Sequence, residues 1–346
     1  MGELTREYYT IAVAGAHGKS TTTTMIALIL AEAGLDPTVI VGTKVKEFGG
    51  SALSQAEGSN FREGKSKMLV IEACEYDSSF LSYSPKIIVV TNVDKEHLDY
   101  FKNFENVKKA FQNFVAKLSD DGALVFNSDD ENSKFEIVGA KFKSLGYSLK
   151  QKETSKMKKI LKVPGAHNVS NALAALGVAR ILAVPDSISF KALAGFTGTW
   201  RRFEVKKGKA NGKAITIVSD YGHHPNEILA TLKAAREKYG KKTIWCIFQP
   251  HQHQRTFYLF DDFAKTFKEL KINKIVITDI YDVAGRETKI INREVSSEKL
   301  VKAINQENVS YLPMEALEGF VKESIGAGDV LVIMGAGDIY KFADKL

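Results

Sequence analysis

Short apolar runs alternate with longer helical patterns along most of the chain. Residues 10–14 predict a buried strand, and a glycine-containing turn leads from it to an apolar helix over 21–33 that ends at Gly34. The later apolar runs are nearly continuous in valine and isoleucine, which is typical of strands buried on both faces of a parallel sheet. These further strands are predicted at 38–42, 67–73, 86–93, 123–130 and 142–147, with helices at 104–118 and 168–182.

The periodicity breaks at residues 195–205, where glycine, threonine and tryptophan interrupt it. A second alternation of strands and helices follows, from a strand at 214–221 to a strand at 329–337, and it includes a predicted helix over 256–270. Alternating strands and helices predict an α/β fold with mostly parallel sheets. We therefore predict two domains, 1–197 and 198–346.

The composition narrows the class of protein. The 346 residues lack a run of about 18 apolar positions, so no membrane span is predicted, and the acidic start of the chain does not fit a signal peptide. The net charge of +7 comes from scattered lysines without interleaved aromatics, which favours a solvated surface over a nucleic-acid groove. Cys74 and Cys246 lie in apolar runs and are predicted to be buried thiols of a cytosolic protein.

The first chemical motif is GAHGKSTTT, which follows the opening strand. It has the form G-x-x-G-K-[ST], with two residues fewer between its glycines than a strict Walker A loop, whose first glycine would stand at Val13. Glycines let backbone amides close around a phosphate, the lysine supplies positive charge, and a hydroxyl can reach Mg²⁺. The predicted phosphate-binding residues are Gly15, His17, Gly18, Lys19, Ser20 and Thr21.

Two further motifs follow the next buried strands. IEACEYDSS places Glu72, Glu75 and Asp77 at the carboxyl edge of the sheet, where a carboxylate can hold Mg²⁺ or simply cap a helix. TNVDKEHLDYF contributes His97, which can ligate a metal, orient a carboxylate or remain a solvated loop histidine.

Four more blocks carry polar side chains at strand ends or helix starts. PGAHNVSNALAA places His167 and Asn171 one turn apart, which suits recognition of a base edge, whereas Asn168 could be an N-cap. TWRRFEV offers paired arginines for phosphate neutralisation or a surface ion pair. SDYGHHPNE and FQPHQHQRTF hold histidines, but their spacing does not match a tetrahedral zinc site.

These seven blocks, in this order and across nearly the whole chain, resemble the Mur ligase family of ATP-dependent peptide-bond-forming enzymes. The resemblance implies a P-loop ATPase domain at 1–197 and a Rossmann-like C-terminal domain at 198–346. It also implies that closure across 195–205 assembles the site and excludes water. DYGHHPNE and FQPHQHQRT are similar to the family members that add L-alanine.

The resemblance assigns a role to individual residues. Ser20 or Thr21 and Glu72 would hold Mg²⁺, with Mn²⁺ as an alternative ion, and His97 would serve a second metal or the substrate carboxylate. His167 and Asn171 would contact adenine, Arg202 the ATP phosphates and Asp220 the ribose. The residues facing the acceptor and amino acid would be Tyr221, His223, His251 and Arg255; the catalytic set would be Lys19, His97, Arg202, His223 and Arg255.

The implied reaction joins L-alanine or a related amino acid to UDP-N-acetylmuramate through an acyl phosphate, in peptidoglycan synthesis. The EYD sequence leaves open a murein-recycling ligase that adds a peptide, and a non-catalytic ATP-binding module is a further alternative. Gln252 stands where the family has an arginine, Cys74 where it has an aspartate, and Lys95-Glu96 where an aspartate is usual. The family's N-terminal UDP-sugar-binding domain is predicted to be absent from this chain. Three explanations stay open: a separate protein supplies the domain, the domain has been removed, or the reaction does not require it.

Overall fold

The structure, a computed structural model, describes residues 1–48, 58–135, 139–283 and 294–346. The chain divides into two compact units, Met1–Trp200 and Arg201–Leu346. Each unit is built on one mostly parallel sheet with helices, so the predicted α/β fold class is confirmed. The assignment of 1–197 to ATP binding and of 198–346 to the acceptor stays a prediction.

The first unit contains a seven-stranded sheet. Its strand order is β3-β2-β4-β1-β5-β6-β7, and only the β2–β3 pair is antiparallel among the described strands. The strands are β1 (Tyr9–Ala14), β2 (Thr38–Val45), β3 (Ser59–Arg62), β4 (Met68–Glu72), β5 (Ile87–Val90), β6 (Ala123–Asn127) and β7 (Lys143–Tyr147). The helices are α1 (Gly2–Glu7), α2 (Lys19–Glu32), α3 (Leu98–Phe101), α4 (Phe104–Val115), α5 (Glu153–Ile160), α6 (Ala166–Ile181) and α7 (Asp186–Gly195).

Two apolar layers enclose this sheet. On one face α2 packs against α6 and α7, and because neighbours surround it, its second half, from Met25 to Leu30, is apolar on nearly every side. On the other face α4 supplies Phe111 and Phe114, which pack against Phe80 with ring centroids 5.4 and 4.4 Å away. Each buried phenylalanine contributes about 1.5–3 kcal/mol through lost contact with water. The central strands are therefore held rigidly, and their carboxyl ends are fixed relative to one another.

The second unit contains a six-stranded sheet in the order β12-β11-β10-β13-β9-β8. Among the described strands of this second sheet, only the β8–β9 pair is antiparallel. The strands are β8 (Glu204–Ala210), β9 (Lys213–Asp220), β10 (Ile244–Phe248), β11 (Lys274–Ile277), β12 (Val309–Tyr311) and β13 (Val330–Met334). The helices are α8 (Pro225–Tyr239), α9 (His253–Tyr258), α10 (Phe260–Glu269), α11 (Ser297–Ile304), α12 (Leu317–Ser324) and α13 (Tyr340–Ala343).

Several elements differ from the sequence-based expectation. The edge strands β3 and β8 were not predicted, because they are short or rich in lysine. The helix predicted over 256–270 is two helices that meet at Leu259. Cys246 is buried as expected, but the prediction for Cys74 was wrong: β4 ends at Glu72, and the thiol of Cys74 is exposed in the loop that follows. Within the described residues, no helix is both long and apolar enough to cross a membrane.

Candidate functional site

The GAHGKS loop connects β1 to α2 at the carboxyl edge of the first sheet. The loop needs two glycines, because Gly15 and Gly18 adopt φ values of +138° and +83°. A β-carbon on Gly15 would also collide with the hydroxyl of Thr91. The helix begins at Lys19 rather than at 21, so the free amides of its first turn, Ser20 and Thr21 among them, belong to the phosphate loop.

Lys19 is the charged centre of the loop. Its ammonium donates to the carbonyl oxygens of Gly15 at 2.6 Å and Ala16 at 3.0 Å. It also lies 3.1 Å from Glu75 Oε2, whose side chain is 1% exposed. Burial alone would lower the pKa of Lys19, but the carboxylates of Glu75 and Glu72 reverse this effect and raise it. Lys19 is therefore held as a cation beside the loop.

Ser20 and Glu72 form a pair of oxygen ligands at the start of α2. The Ser20 hydroxyl donates to Glu72 Oε1 at 3.1 Å, and Glu72 Oε2 accepts the Gly42 N–H at 2.6 Å. Hard cations such as Mg²⁺ prefer hydroxyl and carboxylate oxygens. The two predicted ligands are thus adjacent and of the right chemical type, so these residues fit a magnesium ion.

His97 approaches the same acidic cluster from the loop after β5. Its Nε2 atom lies 3.7 Å from Glu75 Oε1, and its ring contacts that of Tyr76 with centroids 5.0 Å apart. His97 adopts a left-handed φ of 55°, as does Asp77, which is exposed. Such strained residues persist only where the surroundings impose them, and they concentrate at functional sites. Glu75, rather than Asp77, is the carboxylate that reaches Lys19 and His97.

The TNVD segment after β5 holds the phosphate loop, a role that sequence reasoning did not assign. The side-chain amide of Asn92 bonds to both peptide groups of His17, and Thr91 Oγ1 donates to the His17 carbonyl at 2.6 Å. Asp94 Oδ2 lies 3.0 Å from His17 Nε2. The sequence feature that could have pointed to these residues is their position directly after a buried strand.

The HNVSN segment lies in the first turns of α6. Asn171 is next to the phosphate loop, since a β-carbon on Gly18 would lie 2.5 Å from its Oδ1. The helix begins at Ala166 with Gly165 as N-cap, so Asn168 is not the cap; its side chain instead donates to the Pro164 carbonyl at 2.7 Å. His167 is half-buried in the first turn. The structure thus brings Asn171 to the loop, while contact of His167 and Asn171 with adenine stays a prediction.

In the second unit the two arginines of TWRRFEV differ in their surroundings. Arg201 is buried, donates to the carbonyls of Gly335 and Gly337, and packs 4.6 Å from the Tyr340 ring. Arg202 is partly exposed, 4.8 Å from the Tyr221 ring and 3.8 Å from Glu227 Oε1. Arg201 therefore anchors the backbone, and Arg202 is the one placed to reach a ligand.

Asp220 ends β9 and is almost fully buried. Its two carboxylate oxygens accept the N–H groups of Phe203 and Gly222, each at 2.8 Å. Burial raises the pKa of this carboxyl above its usual value, against the opposing effects of Arg202 and of these two N–H groups. Both oxygens thus order the backbone around Arg202, which sequence reasoning did not foresee.

Four rings form a row across the carboxyl ends of β9, β10 and β11. The ring of Tyr221 contacts His223 at 5.3 Å, His223 contacts His251 at 5.9 Å, and His251 stacks on Tyr281 at 5.6 Å with an interplanar angle of 9°. Three of these residues were predicted to face the acceptor, and Tyr281 was not. Glu227 fixes the backbone of the second ring in the row, because its Oε2 accepts the His223 N–H at 2.9 Å.

Arg255 lies beside this row on α9. Its Nη1 atom is 3.1 Å from His251 Nδ1 and donates to Gln252 Oε1 at 3.2 Å. A guanidinium is always charged and has the fork geometry that matches a carboxylate. Gln252 orients Arg255 but carries no charge, so the positive charge beside His251 comes from the Arg255 guanidinium.

Comparisons with known proteins agree with the motifs. A family model described as the Mur ligase middle domain matches residues 13–179. A second model, described as Mur ligase, glutamate ligase domain, matches residues 201–337. Together they cover the two units and contain every residue of the proposed site.

Individual relatives extend the match over the whole chain. UDP-N-acetylmuramate–L-alanine ligase of Caldanaerobacter subterraneus subsp. tengcongensis is 40% identical over all of this chain and 77% of its own length. The enzyme of the same name from Acetivibrio thermocellus is 38% identical over 99% of this chain and 75% of its own. The crystal structure of UDP-N-acetylmuramate–alanine ligase MurC from Thermotoga maritima matches with a TM-score of 0.73 and 26% identity, over 99% of this chain and 76% of that one. The chain therefore belongs to the Mur ligase family.

Proposed function

We propose that this chain joins L-alanine to UDP-N-acetylmuramate in an ATP-dependent reaction of peptidoglycan synthesis. The observation that carries the proposal is Lys19, held as a cation between the loop carbonyls and Glu75, beside the Ser20–Glu72 oxygen pair. The names of relatives that are 38–40% identical over nearly the whole chain support the choice of substrates.

The reaction proceeds in two group transfers. The muramoyl carboxylate attacks the γ-phosphorus of ATP, the bond to the β-phosphate oxygen breaks, and ADP leaves. The amino group of L-alanine then attacks the carbonyl carbon of the acyl phosphate. The resulting tetrahedral intermediate expels phosphate, the nitrogen loses a proton, and an amide remains.

The first unit serves the phosphoryl transfer. The free amides in the first turn of α2, at Lys19, Ser20 and Thr21, bind the phosphates, and the Lys19 ammonium neutralises the charge that develops on the transferred group. Ser20 and Glu72 would hold Mg²⁺, with His97 towards a second ion or the substrate carboxylate; a bound ion supplies further positive charge against the phosphate oxygens. His167 and Asn171 would contact the adenine.

The second unit serves the amino acid and the far side of the nucleotide. Arg255 binds the carboxylate of L-alanine beside His251, and the ring row from Tyr221 to Tyr281 forms the wall next to it. His223 lies in that wall with Glu227 fixing its backbone, so it can orient the amino group. Arg202 would contact the ATP phosphates and Asp220 the ribose.

The direct test is phosphate release with purified protein. Release should require ATP, UDP-N-acetylmuramate and L-alanine together, and the product should be UDP-N-acetylmuramoyl-L-alanine by mass spectrometry. Phosphate release that requires neither UDP-N-acetylmuramate nor L-alanine contradicts the proposal. A preference for an L-alanyl peptide over L-alanine identifies a murein-recycling ligase instead, and ADP binding without any turnover identifies an ATP-binding module.

The need for a separate UDP-sugar-binding protein stays a prediction, and the comparisons lend it no support. The same assay addresses it. Turnover by this chain alone, at UDP-N-acetylmuramate concentrations that saturate, contradicts the need for a second polypeptide.

A further inference from the structure

One residue of the phosphate loop, His17, is bonded on both of its peptide groups by a single side chain from the segment that follows β5. Asn92 Oδ1 accepts the His17 N–H at 2.9 Å, and Asn92 Nδ2 donates to the His17 carbonyl at 3.0 Å. This is the pairing that a neighbouring strand would make, here supplied by a side-chain amide. It fixes the direction of two successive peptide planes in a loop that has no strand partner of its own.

Neighbouring groups reinforce the same position. Thr91, which is 2% exposed, donates its hydroxyl to the same His17 carbonyl at 2.6 Å. The Ala16 N–H donates to the Asn92 carbonyl at 3.1 Å, and Asp94 lies 3.0 Å from the His17 imidazole. Residues 16 and 17 are thus tied to the end of β5 through backbone and side chains.

The direction of the His17 carbonyl matters for an anion. A carbonyl oxygen carries partial negative charge and repels phosphate, whereas the N–H groups of such a loop attract it. Two donors, Thr91 Oγ1 and Asn92 Nδ2, keep this carbonyl turned towards the strand. A loop that is already ordered also pays less conformational entropy when the ligand arrives.

We propose that Asn92 is a positioning residue of the phosphate loop, which holds His17 so that the loop is shaped for nucleotide phosphates before they bind. Thr91 acts with it through the shared carbonyl. The inference rests on the proposed function, because it requires that Gly15–Lys19 bind phosphate. Asn92 itself need not touch the nucleotide.

The test is the affinity for ADP, measured by isothermal titration calorimetry on the full chain. Asn92→Leu keeps the size of the side chain and removes both hydrogen bonds, so we expect the Kd for ADP to rise about 30-fold. In the ligase assay KM for ATP should rise by a similar factor, while KM for L-alanine stays unchanged. A merely structural role would lower the melting temperature without this selective change in KM.

Asn127 offers a matched control at the end of the adjacent strand, β6. Its Nδ2 donates to the Thr91 carbonyl at 3.1 Å, so it also bonds the end of β5, and no described contact joins it to the loop. Asn127→Leu should bind ADP like the wild type. Equal weakening in Asn127→Leu and Asn92→Leu, or wild-type affinity in Asn92→Leu, overturns the inference.

A second pair of variants covers the case in which Asn92→Leu does not fold. Thr91→Ser keeps the hydroxyl and Thr91→Val removes it at nearly constant volume. Val should weaken ADP binding and Ser should restore it; equal affinities contradict the positioning role. A wild-type protein that binds no ADP refutes the proposed function itself, whereas normal wild-type binding with unaffected variants refutes only this inference.

Discussion

The ammonium of Lys19 and the carboxylate of Glu75 form an ion pair at 3.1 Å, with 13% and 1% of the two side chains exposed. Glu75 therefore depends on Lys19 as its buried counter-charge. Loss of one partner leaves an uncompensated charge away from water, which costs more than the pair contributes. Stability and catalysis are thus coupled at this lysine, and the two effects can be separated by a double substitution.

Lys19→Ala should reduce kcat/KM about 10³-fold or more, because the transferred phosphoryl group loses its positive partner. The same change should lower the free energy of unfolding by about 3 kcal/mol, because the buried carboxyl group of Glu75 loses its counter-charge. Adding Glu75→Gln should recover much of the stability and none of the activity. Denaturant melts and phosphate release measure the two quantities, and recovery of activity in the double variant would contradict the role of Lys19.

Gly15→Ala should abolish ADP binding. The new β-carbon would meet the Thr91 hydroxyl, and φ at this position is +138°, so the loop must move away from the end of β5. Gly34→Ala is the matched control, since Gly34 also has a positive φ of +75° but nothing lies within 4 Å of its β-carbon position. It should cost about 1 kcal/mol of stability and leave the Kd for ADP unchanged, as calorimetry would reveal.

Asp220 should give the second unit a distinctive dependence on pH. Burial raises its pKa in the folded state, so its contribution favours folding below the unfolded pKa and is lost as pH rises through the folded pKa. Asp220→Asn cannot titrate. The wild type should therefore lose unfolding free energy relative to the variant as the pH rises above about 3.9, the ordinary pKa of an aspartate.

This comparison needs a signal from the second unit alone. Trp245 lies in that unit and Trp200 in the other, and the chain has two tryptophans. In a Trp200→Phe background, fluorescence during urea unfolding follows Trp245. A difference between wild type and Asp220→Asn that does not vary with pH would refute the raised pKa.

Arg255→Ala should raise KM for L-alanine about 100-fold or more, because the amino-acid carboxylate loses its guanidinium partner. KM for ATP should change little. Arg236→Ala is the control: its guanidinium donates to the Gly240 carbonyl just after α8 and to the Lys271 carbonyl just after α10, so its loss should lower stability without affecting KM. Similar KM values for L-alanine in Arg255→Ala and in the wild type would remove Arg255 from the proposed site.

The central strands were predictable because burial on both faces leaves a plain mark in the sequence. Ile87–Val90 is apolar at every position and fully buried. The edge strands lack that mark: β8 contains three lysines in seven residues, so its sequence resembles a polar linker. Its strand character comes from pairing with β9, which no local pattern reports.

The residues of the site also divide into those that the sequence predicted and those that it did not. Gly15, Lys19 and Ser20 were predictable because a phosphate loop has a short, contiguous pattern between a strand and a helix. The partners of that loop were not, because Glu75, Thr91 and Asn92 meet it only through the packing of β4 and β5 against β1. Likewise Tyr281 joins the ring row because β11 lies beside β10.

The bonds between Asn92 and His17 join positions that are 75 residues apart. Contacts of such separation form late, because a long segment of chain must be closed before they are gained. The loop next to β1 can therefore reach its shape only after β5 has docked, although β1, the loop and α2 are contiguous. During refolding, helical signal should return before ADP binding does, and nucleotide binding becomes a measure of how completely the first unit has folded.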